Sequence, residues 1–320
     1  MRAVFLDSAS LGNDVDLSPM RAAVDELALW PTTTPEEIQQ RLDGFEIAIV
    51  NKVVLGEEHF AAHPELRLVA VSATGVNNVD LEAAARHGIR VVNVIGYGRG
   101  SIVQHTYSLM FALAGRLLDY VRDVRNGEWQ KSSLFCLMDH PIVELEGKTL
   151  GVIGYGELGK GVANLARALG MNVLLGARPG QAPGTKDGLP RLPLDELLPQ
   201  VDVLSLHCLL SEETRNMIGR QELATMKPTA FLINTARGGI VDEEALADAL
   251  RNGRLGGAGI DVLTEEPPVH GNPLLADDIP NLIVTPHCAW ASHEARQRMV
   301  NLCAQNLREF VEGKLTRWVV

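Results

Sequence analysis

Three short segments in the last third of the chain hold residues that together can reduce a ketone. They are Asn234-Thr235-Ala236-Arg237-Gly238-Gly239, Asp261-Val262-Leu263-Thr264-Glu265-Glu266-Pro267 and Thr285-Pro286-His287-Cys288-Ala289-Trp290. Reduction of a 2-keto acid needs a cation for the carboxylate and the carbonyl oxygen, and a proton donor for the developing alkoxide. Arg237 can be the cation. His287 can be the donor, because an unperturbed imidazole titrates near neutrality. Glu266 is the carboxylate that would orient the ring and stabilise the imidazolium. Singly, each has a plainer reading: Arg237 and Glu266 as surface charges, His287 as a satisfied core histidine, Asp261 as a turn cap. Their position downstream of a dinucleotide motif favours a site.

That motif is Gly151-Val152-Ile153-Gly154-Tyr155-Gly156-Glu157-Leu158-Gly159. Gly154, Gly156 and Gly159 spell G-x-G-x-x-G after a strand-like run and before a helical pattern. The glycines serve a tight turn, a close backbone approach to pyrophosphate, and helix–strand packing. The helix opening at Glu157 and Leu158 offers free N–H groups to phosphates. An empty glycine turn would look the same locally, but the second strand at Asn172–Leu175 completes the expected unit. Enzymes using NAD place an acid at the end of that second strand to bond the ribose 2′-OH. Here Gly176-Ala177-Arg178 stands instead. Ala177 brings no repulsion and Arg178 can pair with a 2′-phosphate, so NADP(H) is favoured, with NAD(H) the alternative.

Short apolar runs alternating with helix-period segments point to parallel α/β sheets. In the first third the strands are read at Ala3–Leu6, Ile47–Val50, Leu68–Val71 and Val91–Val94, with a helix at Leu81–Arg86. A long helix is expected from Ser101 to about Arg125, on Val103, Leu109, Leu113, Leu117 and Val121. A second series has strands at Thr149–Ile153, Asn172–Leu175, Asp202–Leu206, Ala230–Ile233, Ala258–Val262 and Leu282–Val284. Arg178–Pro190, with three prolines and three glycines, reads as a loop. Ser292 can cap a last helix reaching about Glu312.

The 320 residues exceed what one core usually serves, so two domains are expected. A net charge of −11 without a basic cluster argues against nucleic acid or anionic membranes as partners. No secretory layout opens the chain and no apolar run is long enough to span a bilayer. The four cysteines, Cys136, Cys208, Cys288 and Cys303, form no C-x-x-C pair, which suits reduced thiols in a cytoplasm and no metal site.

These motifs, in this order, resemble the D-isomer-specific 2-hydroxyacid dehydrogenase family over nearly the whole chain. Within it, Asn51-Lys52-Val53, Gln104-His105-Thr106, Phe135-Cys136 and Pro286-His287-x-Ala289-Trp290 are most similar to the glycerate dehydrogenase/hydroxypyruvate reductase branch. The resemblance implies an α/β protein of two doubly wound lobes, Rossmann-like and flavodoxin-like, with a cleft between them. Residues 1–100 plus 290–320 would bind substrate and residues 101–289 the dinucleotide. Arg237, Glu266 and His287 would be catalytic. Asp261 would bond the nicotinamide carboxamide, and Ala177, Arg178, His207, Cys208, Thr235 and Ala236 would line the cofactor with Gly154, Gly156, Glu157, Leu158 and Gly159. Lys52, the loop residues Thr74, Gly75 and Val76, and Trp290 would contact the substrate together with Arg237 and His287. The Ser101 helix and the following arm would build a homodimer. Leu209, where the family usually has proline, and Ala177-Arg178 depart from the pattern. Other readings of the same fold are a nucleotide-sensing corepressor and a phosphoglycerate dehydrogenase.

Overall fold

Strands with both faces covered read as unbroken apolar runs, and several of those in the computed structural model, which describes residues 1–320, are of that kind. The chain divides into two compact units: Met1–Gly98 with Trp290–Val320, and Arg99–Ala289.

The first unit carries β1 (Arg2–Phe5), β2 (Glu26–Leu29), β3 (Ile47–Val50), β4 (Leu68–Val71) and β5 (Arg90–Asn93). The order is β2-β1-β3-β4-β5, parallel throughout, which is the flavodoxin-like arrangement. Alternate residues serve alternate faces: Ala3, Phe5, Ile47 and Ile49 pack with the final helix, whereas Val4, Ala48, Val50 and Val69 pack with Ile38, Phe60 and Ala83. The final helix, His293–Val311, buries Ala295, Met299, Cys303 and Leu307 at four-residue spacing. Ser292 Oγ accepts from the Ala295 N–H at 3.2 Å and fixes its start. β2 was absent from the sequence reading. It is a four-residue edge strand of sequence Glu-Leu-Ala-Leu with only Leu27 buried, too short to show periodicity.

The second unit carries β6 (Thr149–Ile153), β7 (Asn172–Gly176), β8 (Gly184–Lys186), β9 (Leu189–Leu192), β10 (Val203–Leu206), β11 (Phe231–Asn234), β12 (Gly257–Ile260) and β13 (Leu282–Val284). Its order is β13-β12-β11-β10-β6-β7-β9-β8. All pairs are parallel except β8 with β9. Strand order reverses beside β6, the Rossmann switch point at which open α/β sheets bind ligands.

Two expectations need correction here. The stretch read as a loop from Arg178 to Pro190 contains the β8–β9 hairpin, closed by Asp187 and Gly188 at φ 52° and 76°. Two consecutive positive-φ residues of Asp-Gly type make the hairpin turn that matches strand twist. The single helix from Ser101 is two, Arg99–Ala114 and Leu117–Arg125. The break falls at Gly115-Arg116, where Arg116 adopts φ 50°, so the apolar side chains beyond it lie on a separate helix. Only the first helix is buried against its sheet: a Cβ on Gly259 of β12 would lie 2.9 Å from Leu109 Cβ, so that glycine lets the helix close on the strand.

Candidate active site

The three reactive segments begin where β11, β12 and β13 end, and these strands are neighbours. Asn234 is in register with Ile260, and Ile260 with Val284. Three parallel strands ending together bring Arg237, Glu266 and His287 to one edge of the sheet.

His287 Nδ1 lies 2.6 Å from Glu266 Oε2, both side chains about one-third exposed. The other Glu266 oxygen, Oε1, accepts from the Leu263 N–H at 2.8 Å. The carboxylate is thus fixed before it meets the ring, and it selects a proton on Nδ1. His287 sits at φ 50°, a conformation rare for a non-glycine residue. Its N–H donates to Asp261 O at 2.8 Å.

Asp261, 1% exposed, holds the same loop with its side chain. Oδ1 accepts from Thr285 Oγ1 at 2.6 Å and from the Cys288 N–H at 3.0 Å, and Oδ2 from the Ala289 N–H at 2.9 Å. His105 Nε2 stands 3.4 Å from Oδ1 and 3.0 Å from Thr285 Oγ1. This anchoring was not foreseen from the sequence. A carboxylate has about four acceptor sites, so Oδ2 keeps capacity for one further N–H. Burial and the neighbouring Asp261 carboxylate both push the Cys288 thiol up.

Arg237 is half-buried and donates from Nη1 to Ala236 O at 2.7 Å. Its turn is set by Asn234, whose Oδ1 accepts from the Ala236 N–H and whose Nδ2 donates to Arg237 O, both at 3.0 Å. A Cβ on Gly238 would fall 1.9 Å from Leu263 O. Only glycine lets the Arg237 turn lie against the loop that bears Glu266. Thr235 is buried, its hydroxyl 3.1 Å from that of Thr106.

The glycine motif has the shape a dinucleotide requires. A Cβ on Gly154 would lie 2.4 Å from the His207 carbonyl carbon, and one on Gly159 2.2 Å from Gly154 O, whereas Gly156 faces open space. The first and third glycines are therefore packing requirements, and the second leaves room for a ligand at the N-terminus of helix Glu157–Ala168. Glu157 is exposed, 3.6 Å from Arg99. Beside this turn lies a cavity of about 270 Å³ lined by Gly154, Tyr155, Gly156, Gly176, Arg178, Gln181, Lys186, Arg191, His207 and Cys208, among others. No carboxylate lines it. Arg178 is exposed and Ala177 buried behind it. The Arg178 charge is felt by Cys208, whose thiol burial pushes up and the guanidinium pulls back. His207 Nε2 is 2.8 Å from Ser205 Oγ, and enclosure of the ring lowers its pKa to about 4, so it is neutral near pH 7. Tyr155, Gln181, Lys186 and Arg191 were missed by sequence reasoning. The last three lie in or beside the hairpin that had been read as a loop.

In the first unit, Lys52 follows β3 and Thr74-Gly75-Val76 follow β4, at adjacent strand ends. Lys52 is exposed, and its backbone N–H donates to Asp7 Oδ2 at 2.6 Å. Thr74 Oγ1 donates to Val94 O at 3.0 Å. Trp290 stands edge-on to Tyr97, ring centres 6.4 Å apart.

Comparison with known proteins places this geometry. Residues 107–289 match the family model of the D-isomer-specific 2-hydroxyacid dehydrogenase NAD-binding domain. A glycerate dehydrogenase of Methylorubrum extorquens is 47% identical over 98% of this chain and 97% of its own. A hydroxypyruvate reductase of Blautia hydrogenotrophica is 35% identical over 98% of both. Among solved structures, an acyclic imino acid reductase in complex with NADPH and D-Arg aligns over all of both chains, with a TM-score of 0.86 and 26% identity. The D-lactate dehydrogenase of Aquifex aeolicus with NAD and lactic acid aligns over 99% of both, with a TM-score of 0.82 and 28% identity. The chain belongs to the D-isomer-specific 2-hydroxyacid dehydrogenases and is a nicotinamide-dependent oxidoreductase acting on D-2-hydroxy acids or their 2-keto partners.

Proposed function

We propose that the protein reduces hydroxypyruvate and glyoxylate, with NADPH preferred over NADH, and that Arg237, Glu266 and His287 carry the reaction. The observation behind the catalytic assignment is the 2.6 Å contact between His287 Nδ1 and Glu266, which leaves Nε2 to face substrate. When bound, the nicotinamide supplies a hydride to the carbonyl carbon, or takes it back in the reverse direction. Nε2–H of His287 gives its proton to the carbonyl oxygen, so that the ketone becomes a secondary alcohol. Glu266 accepts from the Nδ1–H, orients the ring and offsets the positive charge that the ring carries when both nitrogens hold a proton. Arg237 holds the substrate carboxylate and polarises the carbonyl oxygen. Asp261 Oδ2 retains acceptor capacity for the carboxamide. Substrate contacts are assigned to Lys52, the Thr74-Gly75-Val76 backbone and Trp290, and dinucleotide contacts to Gly154, Gly156, Glu157, Leu158, Gly159, His207, Cys208, Thr235 and Ala236.

The small substrates are supported by the names of the glycerate dehydrogenase and hydroxypyruvate reductase relatives. The cofactor preference is supported by Arg178 in a cavity without a carboxylate. One assay tests both: kcat/KM for hydroxypyruvate, glyoxylate and phenylpyruvate with each cofactor. The small acids should lead. A phenylpyruvate value ten times either would refute the substrate reading, and an NADH preference the cofactor reading.

A further inference from the structure

We infer that the β8–β9 hairpin is the second wall of a 2′-phosphate site, and that Lys186 and Arg191 act there as specificity-determining residues alongside Arg178. This rests on the NADPH reading above and extends it to residues outside the glycine motif and the β7 terminus.

Three cations line one cavity and no carboxylate does, in a chain whose net charge is −11. Each comes from a different strand segment. Arg178 follows β7, and its N–H is held by Gln181 Oε1 at 3.3 Å. Arg191 lies on β9 in register with Leu175 of β7, and its Nε donates to Ala182 O at 2.9 Å. Lys186 ends β8, with Nζ 3.4 Å from Tyr155 O and 5.7 Å from the centre of the Tyr155 ring. Tyr155 is the middle residue of Gly154-Tyr155-Gly156. The Lys186 ammonium is therefore placed over the dinucleotide turn itself.

The hairpin is also tethered to the dinucleotide helix. Asp187 in its turn pairs with Lys160 of helix Glu157–Ala168 at 2.9 Å. That pair is exposed and adds little stability by itself, but it uses the one acid of the turn on Lys160. Lys186 and Arg191 have no carboxylate partner. A ribose with free hydroxyls is ordinarily met by a carboxylate at this place, and none lines the cavity. A phosphate monoester, with close to two negative charges and three acceptor oxygens, fits three donors.

The test is calorimetric binding of 2′,5′-ADP and 5′-AMP to the full-length protein and to Arg178→Ala, Lys186→Ala, Arg191→Gln and Arg191→Lys, which needs no turnover. The native protein should bind 2′,5′-ADP more tightly than 5′-AMP. Lys186→Ala and Arg191→Gln should each weaken 2′,5′-ADP about tenfold, the size of one charge-assisted bond, and leave 5′-AMP within about twofold. Arg191→Lys should restore part of the loss, and melting of the free variants should match the native protein. If 2′,5′-ADP is preferred and only Arg178→Ala reduces it, the hairpin inference is overturned while the NADPH reading stands. If the native protein shows no preference for 2′,5′-ADP, both are overturned.

Discussion

Glu266 reaches His287 across twenty-one residues of chain and holds its Nδ1 at 2.6 Å while the other carboxylate oxygen is tied to the Leu263 N–H. A carboxylate fixed at both ends presents the ring in one orientation. His287→Ala should lower kcat by about 10²–10⁴-fold, the range for loss of a positioned general acid. Glu266→Gln keeps the shape and removes the negative charge that faces the ring. Its kcat should fall by less than that of His287→Ala, and a native kcat would remove Glu266 from this role. Arg237→Ala should raise KM for the keto acid and lower kcat together, because the cation serves ground and transition states alike.

Asp261→Asn tests the loop that carries His287. An amide offers one acceptor oxygen where the carboxylate offers two, and turns an NH₂ toward a backbone N–H of Cys288 or Ala289. Leaving a buried donor unsatisfied costs about 1–3 kcal/mol. The variant should melt several degrees lower and lose kcat, because the left-handed backbone at His287 loses its anchor. Native stability with a raised KM for the cofactor alone would point to a role confined to the carboxamide.

Acid stability should report His207. Its folded pKa of about 4 lies below the ordinary value of 6.5, through burial. The unfolded chain therefore binds the extra proton between those values, and stability is lost as pH falls from 6.5 toward 4. Its unpartnered Nδ1 is enclosed as well. Between pH 7.5 and 5 the Tm of His207→Asn should fall less than that of the native protein. Equal falls would show that His207 does not set this limb.

A second copy of the chain should cover the arm after helix Leu117–Arg125. Phe135 is 91% exposed and Met138 75%, with Trp129, Leu134 and Ile142 also exposed, more apolar surface than a monomer ordinarily shows in one region. The segment is nonetheless ordered by its own bonds, Trp129 Nε1 to Phe135 O at 3.0 Å and Tyr120 Oη to His140 O at 2.8 Å. Light scattering at micromolar concentration should give a dimer, and Phe135→Asp with Met138→Glu should shift it toward monomer. A monomeric native protein would contradict this.

The sequence by itself determined what is local. Gly154, Gly156 and Gly159 are contiguous with the strand and helix they join, so their roles follow from spacing. The apolar runs of β3, β4 and β6 identify buried parallel strands, and the Ser292 cap marks the start of the last helix. Arg237, Glu266 and His287 were named from residue chemistry and motif order. Only the tertiary structure decided what depends on strand adjacency. Because β12 lies beside β13, Asp261 bonds Thr285, Cys288 and Ala289 and becomes the anchor of the histidine loop, a role no spacing within either segment encodes. Because β9 pairs with β7, Arg191 and Lys186 line the cavity in which the sequence had named Arg178 as the one cation. The Asp187-Gly188 turn that makes this possible lay among prolines and glycines that read as a loop. Which strands pair is set by packing over the whole sheet, and that information is spread across the chain rather than held in any one window of it.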